Sequence, residues 1–380
     1  MTSQPDPAQA APCAASPVLR RFARTVVRYS LDARAGDLFV IRATTLAVPL
    51  VREVHREALE AGAFVEVRLS YDGQEETLHR HATEEQLDWV SPLDRHEMEA
   101  ADARLVVQAP FNTRSAAGVD PGRLTRRQRA LGELSRVFRR RSAEGSLRWC
   151  GTLYPTHALA QEADMGLGDY EEFVFRAMKL DREDPAEAWR TVSADQQRKA
   201  DFLERVQTLR IVAEDTDLTL SVAGRRWINS DGRRNFPSGE VFTGPVEDSA
   251  RGHIRFTYPA VYGGRRVEDV RLWFENGRVV RAEAARGQEY LLARLDEDAG
   301  ARFLGEVAVG CNYDIQQFTG NVLFDEKIGG TCHLALGASY PETGGRNDSS
   351  LHWDMVCDLR RGGVIYADGV PIHRDGAWMI

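Results

Sequence analysis

Paired cysteines, a long apolar run and a surplus of basic charge are all missing from this 380-residue chain, and each absence closes a class of function. The five cysteines, Cys13, Cys150, Cys311, Cys332 and Cys357, are scattered, odd in number and never spaced as C-x-x-C. That argues against a disulfide framework or a cysteine-rich zinc module, and it suits a reducing compartment. No apolar stretch approaches the ~20 residues that a bilayer-spanning helix needs. The opening MTSQPDPAQAAPCAASP has neither the basic nor the apolar region of a signal peptide. Residues 1–16 therefore read as a disordered tail on a cytoplasmic protein, with no membrane as partner. Acidic residues outnumber basic ones by 57 to 49, and the net charge of −8 makes nucleic acid an unexpected partner. The one basic stretch, 123–141, has acidic residues within and around it and reads as a solvated helix face. No Gly-x-Gly-x-x-Gly follows a strand pattern, so a dinucleotide site lacks its phosphate cradle.

What is present is an ordinary globular composition, 43% hydrophobic and 28% charged, on a chain long enough for two domains. Apolar spacing predicts helices over 17–32, 46–63, 84–101, 124–143, 170–180 and 185–206. Short apolar, β-branched runs predict strands over 37–44, 64–70, 104–110 and 147–154. Strands alternating with helices imply an α/β domain with a mainly parallel sheet over 17–206. From 207 onward the texture changes. Strand patterns at 209–214, 218–223, 253–259, 270–275 and 278–284 dominate, Asn276–Gly277 is a hairpin signal, and 289–303 is the one convincing helix. The expectation is a β-rich α+β domain over 207–380, and it holds nearly every residue capable of chemistry.

Four segments of that domain combine tight turns with metal-ligand residue types. Glu240 lies in NFPSGEVFTGP and Glu306 in GEVAVGCN, each after a glycine and each opening a run otherwise free of charge. Buried carboxylates in such positions need a cation or hydrogen-bond donors. His333 lies in GGTCHLALG, just beyond two glycines. His352 and Asp354, in LHWDMVCD, are two apart, which on a strand puts both on one face with Trp353 on the other. Tyr340 stands between the histidines. Taken singly, each residue has a structural explanation; together they form one donor set. Five nitrogen and oxygen donors exceed the three protein ligands of a typical catalytic zinc. They suit a pair of divalent ions ~3.5–4 Å apart, with a bridging carboxylate, and such a pair activates water and polarises a carbonyl for acyl hydrolysis.

The strings NFPSGEVFTGPVEDSARG, LGEVAVGCN, LFDEKIGGTCHLALGASYPETGG and SSLHWDMVCDLR resemble the signatures of the M29 family of metalloaminopeptidases, the thermophilic aminopeptidase T type. YSLDARAGDLFVIRATTLAVPLVREVHREALEAGA is similar to that family's N-terminal segment, so the resemblance covers roughly 17–380. It implies a two-domain homodimer that removes N-terminal residues from peptides or amino-acid amides with two divalent ions, Zn, Co or Mn. Position by position, it implies that Glu240, Glu306, His333, Tyr340, His352 and Asp354 are the metal ligands. Glu306 and Tyr340 are the expected catalytic residues. Two departures stand out: Cys332 places a thiol next to His333 in sequence, and Cys311 and Tyr313 alter the GCNYDI turn.

Two other readings remain at this level. His333, His352 and Asp354 also form a two-histidine, one-carboxylate set suited to non-haem Fe(II) and O₂. Ring-cleaving dioxygenases of hydroxylated pyridines resemble the same fold. Glu240 and Glu306 separate the two, because a single iron does not need them. The third reading is a non-catalytic peptide- or metal-binding homologue.

Overall fold

The computed structural model describes residues 16–380, so the expected tail over 1–16 lies outside the described residues apart from Ser16. The chain forms two compact units. One takes in the chain up to Phe111 together with Gly118–Thr156 and Leu180–Ala186. The other comprises Asn112–Ala117, His157–Lys179 and Glu187–Ile380.

The first unit is built on β1 (Leu38–Thr44), β2 (Phe64–Ser70), β3 (Ala103–Gln108) and β4 (Arg148–Leu153), paired in the order β2-β1-β3-β4 with every pair parallel. This is the parallel α/β region that the strand–helix alternation predicted. Phe39, Val40 and Ile41 of β1 are buried, and the helix Val48–Glu60 buries Leu50, Val54 and Ala58 at a spacing of four. Two expected helices are each broken in two. The 84–101 segment forms Glu84–Asp88 and Pro92–Ala100. Pro92 drives Ser91 out of the helical region, and the Ser91 hydroxyl accepts from Leu93 N–H to cap the second piece. The 124–143 segment forms Pro121–Ala130 and Gly132–Ala143, divided beside the poorly helical Gly132. Gln74–His81 here, and His157–Glu162 in the other unit, are helices too short for their periodicity to announce. Arg42, Arg68 and Arg104, one from each of three neighbouring strands, converge on the carboxylate of Glu97.

In the second unit an eight-stranded antiparallel sheet runs from Arg278–Glu283 at one edge to Ala377–Trp378 at the other. The expected hairpin at Asn276–Gly277 is present, both residues having positive φ, 47° and 78°. The helix expected over 289–303 stops at Leu295. Beyond it the Asp298 carboxylate accepts from Gly300 and Ala301 N–H, which favours a turn over further helix. The helices Leu167–Ala177 and, from Glu187, Pro185–Leu203 pack in this unit although they precede Val206. Trp189 meets Phe236 at 5.6 Å between ring centroids, and Gln196 donates to the carbonyls of Ser230 and Glu240.

A second antiparallel sheet comprises β5 (Ile228–Ser230), β6 (Glu240–Thr243), β7 (Leu304–Gly310), β8 (Thr331–Gly337) and β9 (His352–Asp358), in the order β9-β8-β7-β6-β5. One face carries Val241, Val307, Val309, Leu334, Leu336, Trp353 and Met355 into the unit's hydrophobic core. The pleat sends every alternate residue to the opposite face. That face holds the chemistry.

Candidate metal centre

On the face turned away from the core, Glu306, Ala335 and Asp354 form one rung across β7, β8 and β9. His333 lies one rung along, between Ala308 and Val356, while His352 is opposite Gly337 and Glu240 opposite Gly310. Alanine and glycine thus separate the polar side chains, leaving room above the sheet for their donor atoms to converge. This explains why β7 and β8 read as nearly continuous apolar runs: one face is core and the other alternates donors with very small residues.

The repeated Gly-Glu pairs have a steric cause. Gly239 has φ of 121°, and a Cβ there would stand 2.6 Å from that of Asn312. A Cβ on Gly305 would meet the Ala338 carbonyl oxygen at 2.1 Å. Each glutamate therefore enters its strand where the backbone is pressed against a neighbour, which fixes its position.

All five expected N/O donors come together. His333 Nε2 is 3.2 Å from Glu306 Oε1, 3.7 Å from Glu240 Oε2 and 3.9 Å from Asp354 Oδ1. His352 Nε2 is 3.6 Å from Glu306 Oε2 and 3.5 Å from Asp354 Oδ2. Two donor groups result: Glu240, Glu306 and His333, and Glu306, His352 and Asp354, with the donor atoms in each lying within 4.8 Å of one another. Glu306 belongs to both. His333 Nδ1 faces the Glu326 carbonyl at 3.1 Å, and His352 Nδ1 faces the Ala338 carbonyl at 2.8 Å. A carbonyl only accepts, so each Nδ1 carries a proton, and each Nε2 is turned to the carboxylates, where it becomes a ligand when a cation displaces its own proton.

The electrostatics favour a cation here. Burial alone would lower the His333 pKa, but the hydrogen bond with Glu306 and the charges of Glu240 and Glu306 push it up to about 10. Burial raises the Glu306 carboxyl, with His333 pulling against it. Burial also works on Asp354, yet His352 and His333 hold it below the usual carboxylate range. Two buried carboxylates, Glu240 and Glu306, and the partly buried Asp354 thus draw positive charge from the groups around them. Glu240 Oε2 and Asp354 Oδ1 are buried without a hydrogen-bond partner, a costly state that ligation to a cation removes. Imidazole Nε2 atoms and carboxylate oxygens are the donor types that Zn, Co and Mn accept, so the residues fit divalent ions.

The comparisons with known proteins agree with this chemistry. The family model described as thermophilic metalloprotease (M29) matches residues 15–378. The chain belongs to the M29 family. It is by that membership a hydrolase of peptide bonds. M29 relatives include Aminopeptidase 2 of Geobacillus stearothermophilus, 31% identical over 95% of this chain and 97% of its own. Aminopeptidase T of Thermus thermophilus is 28% identical over 95% and 98%. The solved structure of wild-type AmpT from Thermus thermophilus aligns with a TM-score of 0.84 at 26% identity, covering 96% of this chain and 99% of that one. A 2,5-dihydroxypyridine dioxygenase from Pseudomonas putida shares the fold alone, with a TM-score of 0.60 at 16% identity over 96% and 98%.

Four residues stand apart from the five donors. Cys332, expected to bring a thiol beside the site, points to the opposite face, is fully buried and lies across from Cys357 in the core. Strand parity separates it from His333. Glu326 and Lys327 went unremarked in the sequence, yet they border the donor groups. Lys327 Nζ bonds both Glu326 and Glu240, the latter at 3.1 Å. The available signal was a charged triplet, Asp325 to Lys327, directly before a buried strand. Tyr340 is 42% exposed, with its ring edge-on to His352 at 5.3 Å and tilted against Phe242 at 5.4 Å.

Proposed function

We propose that this protein is an aminopeptidase that removes the N-terminal residue of peptides with two divalent ions held by Glu240, Glu306, His333, His352 and Asp354. The observation that carries the reading is the place of Glu306 in both donor groups, with Oε1 toward His333 and Oε2 toward His352. So placed, Glu306 would serve as a ligand to both ions. Glu240 and His333 complete one position, and His352 and Asp354 the other. Two ions there supply Lewis-acid polarisation of the scissile carbonyl and an acidified water at neutral pH.

The chain's own residues do the rest. The Nδ1 hydrogen bonds to Glu326 and Ala338 carbonyls hold both imidazoles in one tautomer and one orientation. Tyr340, at the exposed border of the cluster, serves as the hydroxyl donor, or a further ligand, on the substrate side as negative charge develops on the carbonyl oxygen. The site's surplus of carboxylate receives the free α-amine of the substrate, which restricts cleavage to the first peptide bond. Among the described residues no helix is long and apolar enough to cross a membrane. A cytoplasmic homodimer acting on peptides or amino-acid amides belongs to the same proposal, its oligomeric state to be read by light scattering.

The test is metal content beside turnover of an aminoacyl p-nitroanilide. Wild type is expected to hold two Zn, Co or Mn per chain and to lose activity to a chelator. Glu306→Gln is expected to lose both ions and at least about a hundredfold in turnover, since a shared ligand serves both. Full occupancy with normal turnover in that variant would remove Glu306 from the mechanism. One iron per chain with oxygen uptake on a dihydroxypyridine would instead favour the dioxygenase reading. Metal binding without turnover on any peptide would favour a binding protein.

A further inference from the structure

Lys327 is among the most thoroughly enclosed side chains of the molecule, 1% exposed, although lysine is rarely buried at all. Its ammonium has two carboxylate partners, Glu326 and Glu240 Oε1. The other Glu240 oxygen, Oε2, has no hydrogen-bond partner and faces His333 Nε2. Glu240 is thus divided, with one oxygen committed to the ammonium and one left for the donor group. Glu306, by contrast, presents both oxygens to the two donor groups.

The backbone around this contact is a single frame. Asn312 donates its main-chain N–H to the Lys327 carbonyl at 3.0 Å, and its side-chain amide to the Ser238 carbonyl at 2.9 Å. Cys311 N–H bonds the Gly239 carbonyl at 2.7 Å. Ser238, Gly239 and the backbone of Lys327 are therefore all tied to the adjacent pair Cys311 and Asn312, which links the segment carrying Glu240 to the one carrying Lys327.

We propose that Lys327 is a positioning residue for the peptidase reaction: its ammonium holds one oxygen of Glu240 and leaves the other to the donor group, so that Glu240 would serve as a one-oxygen ligand. This rests on the two-ion reading above. A residue that merely neutralises buried glutamates would stabilise the fold without affecting how an ion is coordinated. A positioning residue alters coordination and rate together, while leaving substrate recognition in place.

The experiment uses full-length wild type, Lys327→Met and Lys327→Arg, each stripped by chelator and reloaded with Co(II). Stoichiometry, visible absorption and steady-state kinetics are read on leucine p-nitroanilide. In Lys327→Met, two Co(II) per chain are expected to remain, because removing a nearby positive charge does not weaken a cation site. The absorption bands are expected to shift, because Glu240 can now offer both oxygens. A kcat lower by about tenfold or more is expected with KM within about twofold, the scale of loss for outer-shell partners of metal sites. Lys327→Arg is expected to recover part of kcat and the wild-type spectrum. Unchanged spectrum and kcat in Lys327→Met would overturn the proposal, as would loss of both ions together with a lower melting temperature of the loaded protein. Should Lys327→Met not fold, Glu326→Gln removes the ammonium's second anchor. A smaller shift of the same bands supports the proposal, and an unchanged spectrum and rate overturns it. Fewer than two Co(II) per chain in wild type would sink the site reading itself, visibly and before any variant is compared.

Discussion

Asp354 and Glu306 occupy one rung of β9, β8 and β7 with Ala335 between them, and each divides its two oxygens between His333 and His352. Residue by residue, the site is a problem of charge in a buried volume, and the same physics appears away from it at Glu97. Burial alone would raise that carboxyl, but hydrogen bonds from Arg42 and Arg104, with Arg68 beside them, hold it down at about 2. A folded-state pKa below the ordinary 4.5 means that the unfolded chain binds the proton more tightly. Glu97 therefore contributes stability that is complete above about 4.5 and is lost as pH falls toward 2. Urea midpoints measured across that window are expected to fall steeply in wild type and less steeply in Glu97→Gln. The variant should be less stable at neutral pH, where three arginines lose their shared partner. Equal slopes for the two proteins would show that the arginine cluster does not govern acid unfolding. At this scale sequence reading found Glu240, Glu306, His333, His352 and Asp354 because acids and imidazoles stand out inside apolar runs. It passed over Lys327 because a lysine next to a glutamate ordinarily lies on the surface.

Strands and turns decide whether those side chains meet. Pleating alone explains how β8 can place Cys332 and Leu334 in the core while His333 and Ala335 face the donors. Ala335 is the spacer between Glu306 and Asp354. Ala335→Val is expected to destabilise by about 1–3 kcal/mol through overpacking, while reducing metal content below that of wild type. Full metal content in a folded Ala335→Val would show that the rung has more space than its register implies. Gly239 tests the entry to β6. Gly239→Ala combines a positive φ with a close approach to Asn312, and is expected to lower the unfolding free energy by about 1–3 kcal/mol. It should also move Glu240 away from the cluster, read as a weaker ion at one position only. Element positions were largely legible from periodicity. The broken helices at Pro92 and Gly132 and the early stop at Leu295 were not, because a cap or an Asx turn overrides a continuing apolar pattern.

For the molecule as a whole, ions that bind the folded chain add stability with the logarithm of their concentration relative to the dissociation constant, about 2.7 kcal/mol at a hundredfold excess. Since every donor lies in the second unit, chelation is expected to act there. Hydrogen exchange should quicken in β7, β8 and β9 on removal of metal and stay unchanged in β1 and β3 of the first unit. Equal acceleration in both units would mean that the two do not unfold separately. The family match over 15–378 and the AmpT alignment each extend over both units.

The sequence by itself determined the classes that composition excludes, the alternation that makes a parallel sheet in the first unit, the antiparallel texture of the second, and the types of donor available. These depend on period, propensity and residue chemistry, which are local properties. Tertiary structure alone decided that β6, β7, β8 and β9 lie side by side in that order, that Glu306 stands between two histidines, that Cys332 faces away, and that Lys327 reaches Glu240. Those facts rest on register between strands whose partners lie far apart in sequence, from Gly337↔His352 to Gly310↔Glu240, the latter 70 residues apart (310 less 240). A shift of one residue would send every one of these side chains to the other face.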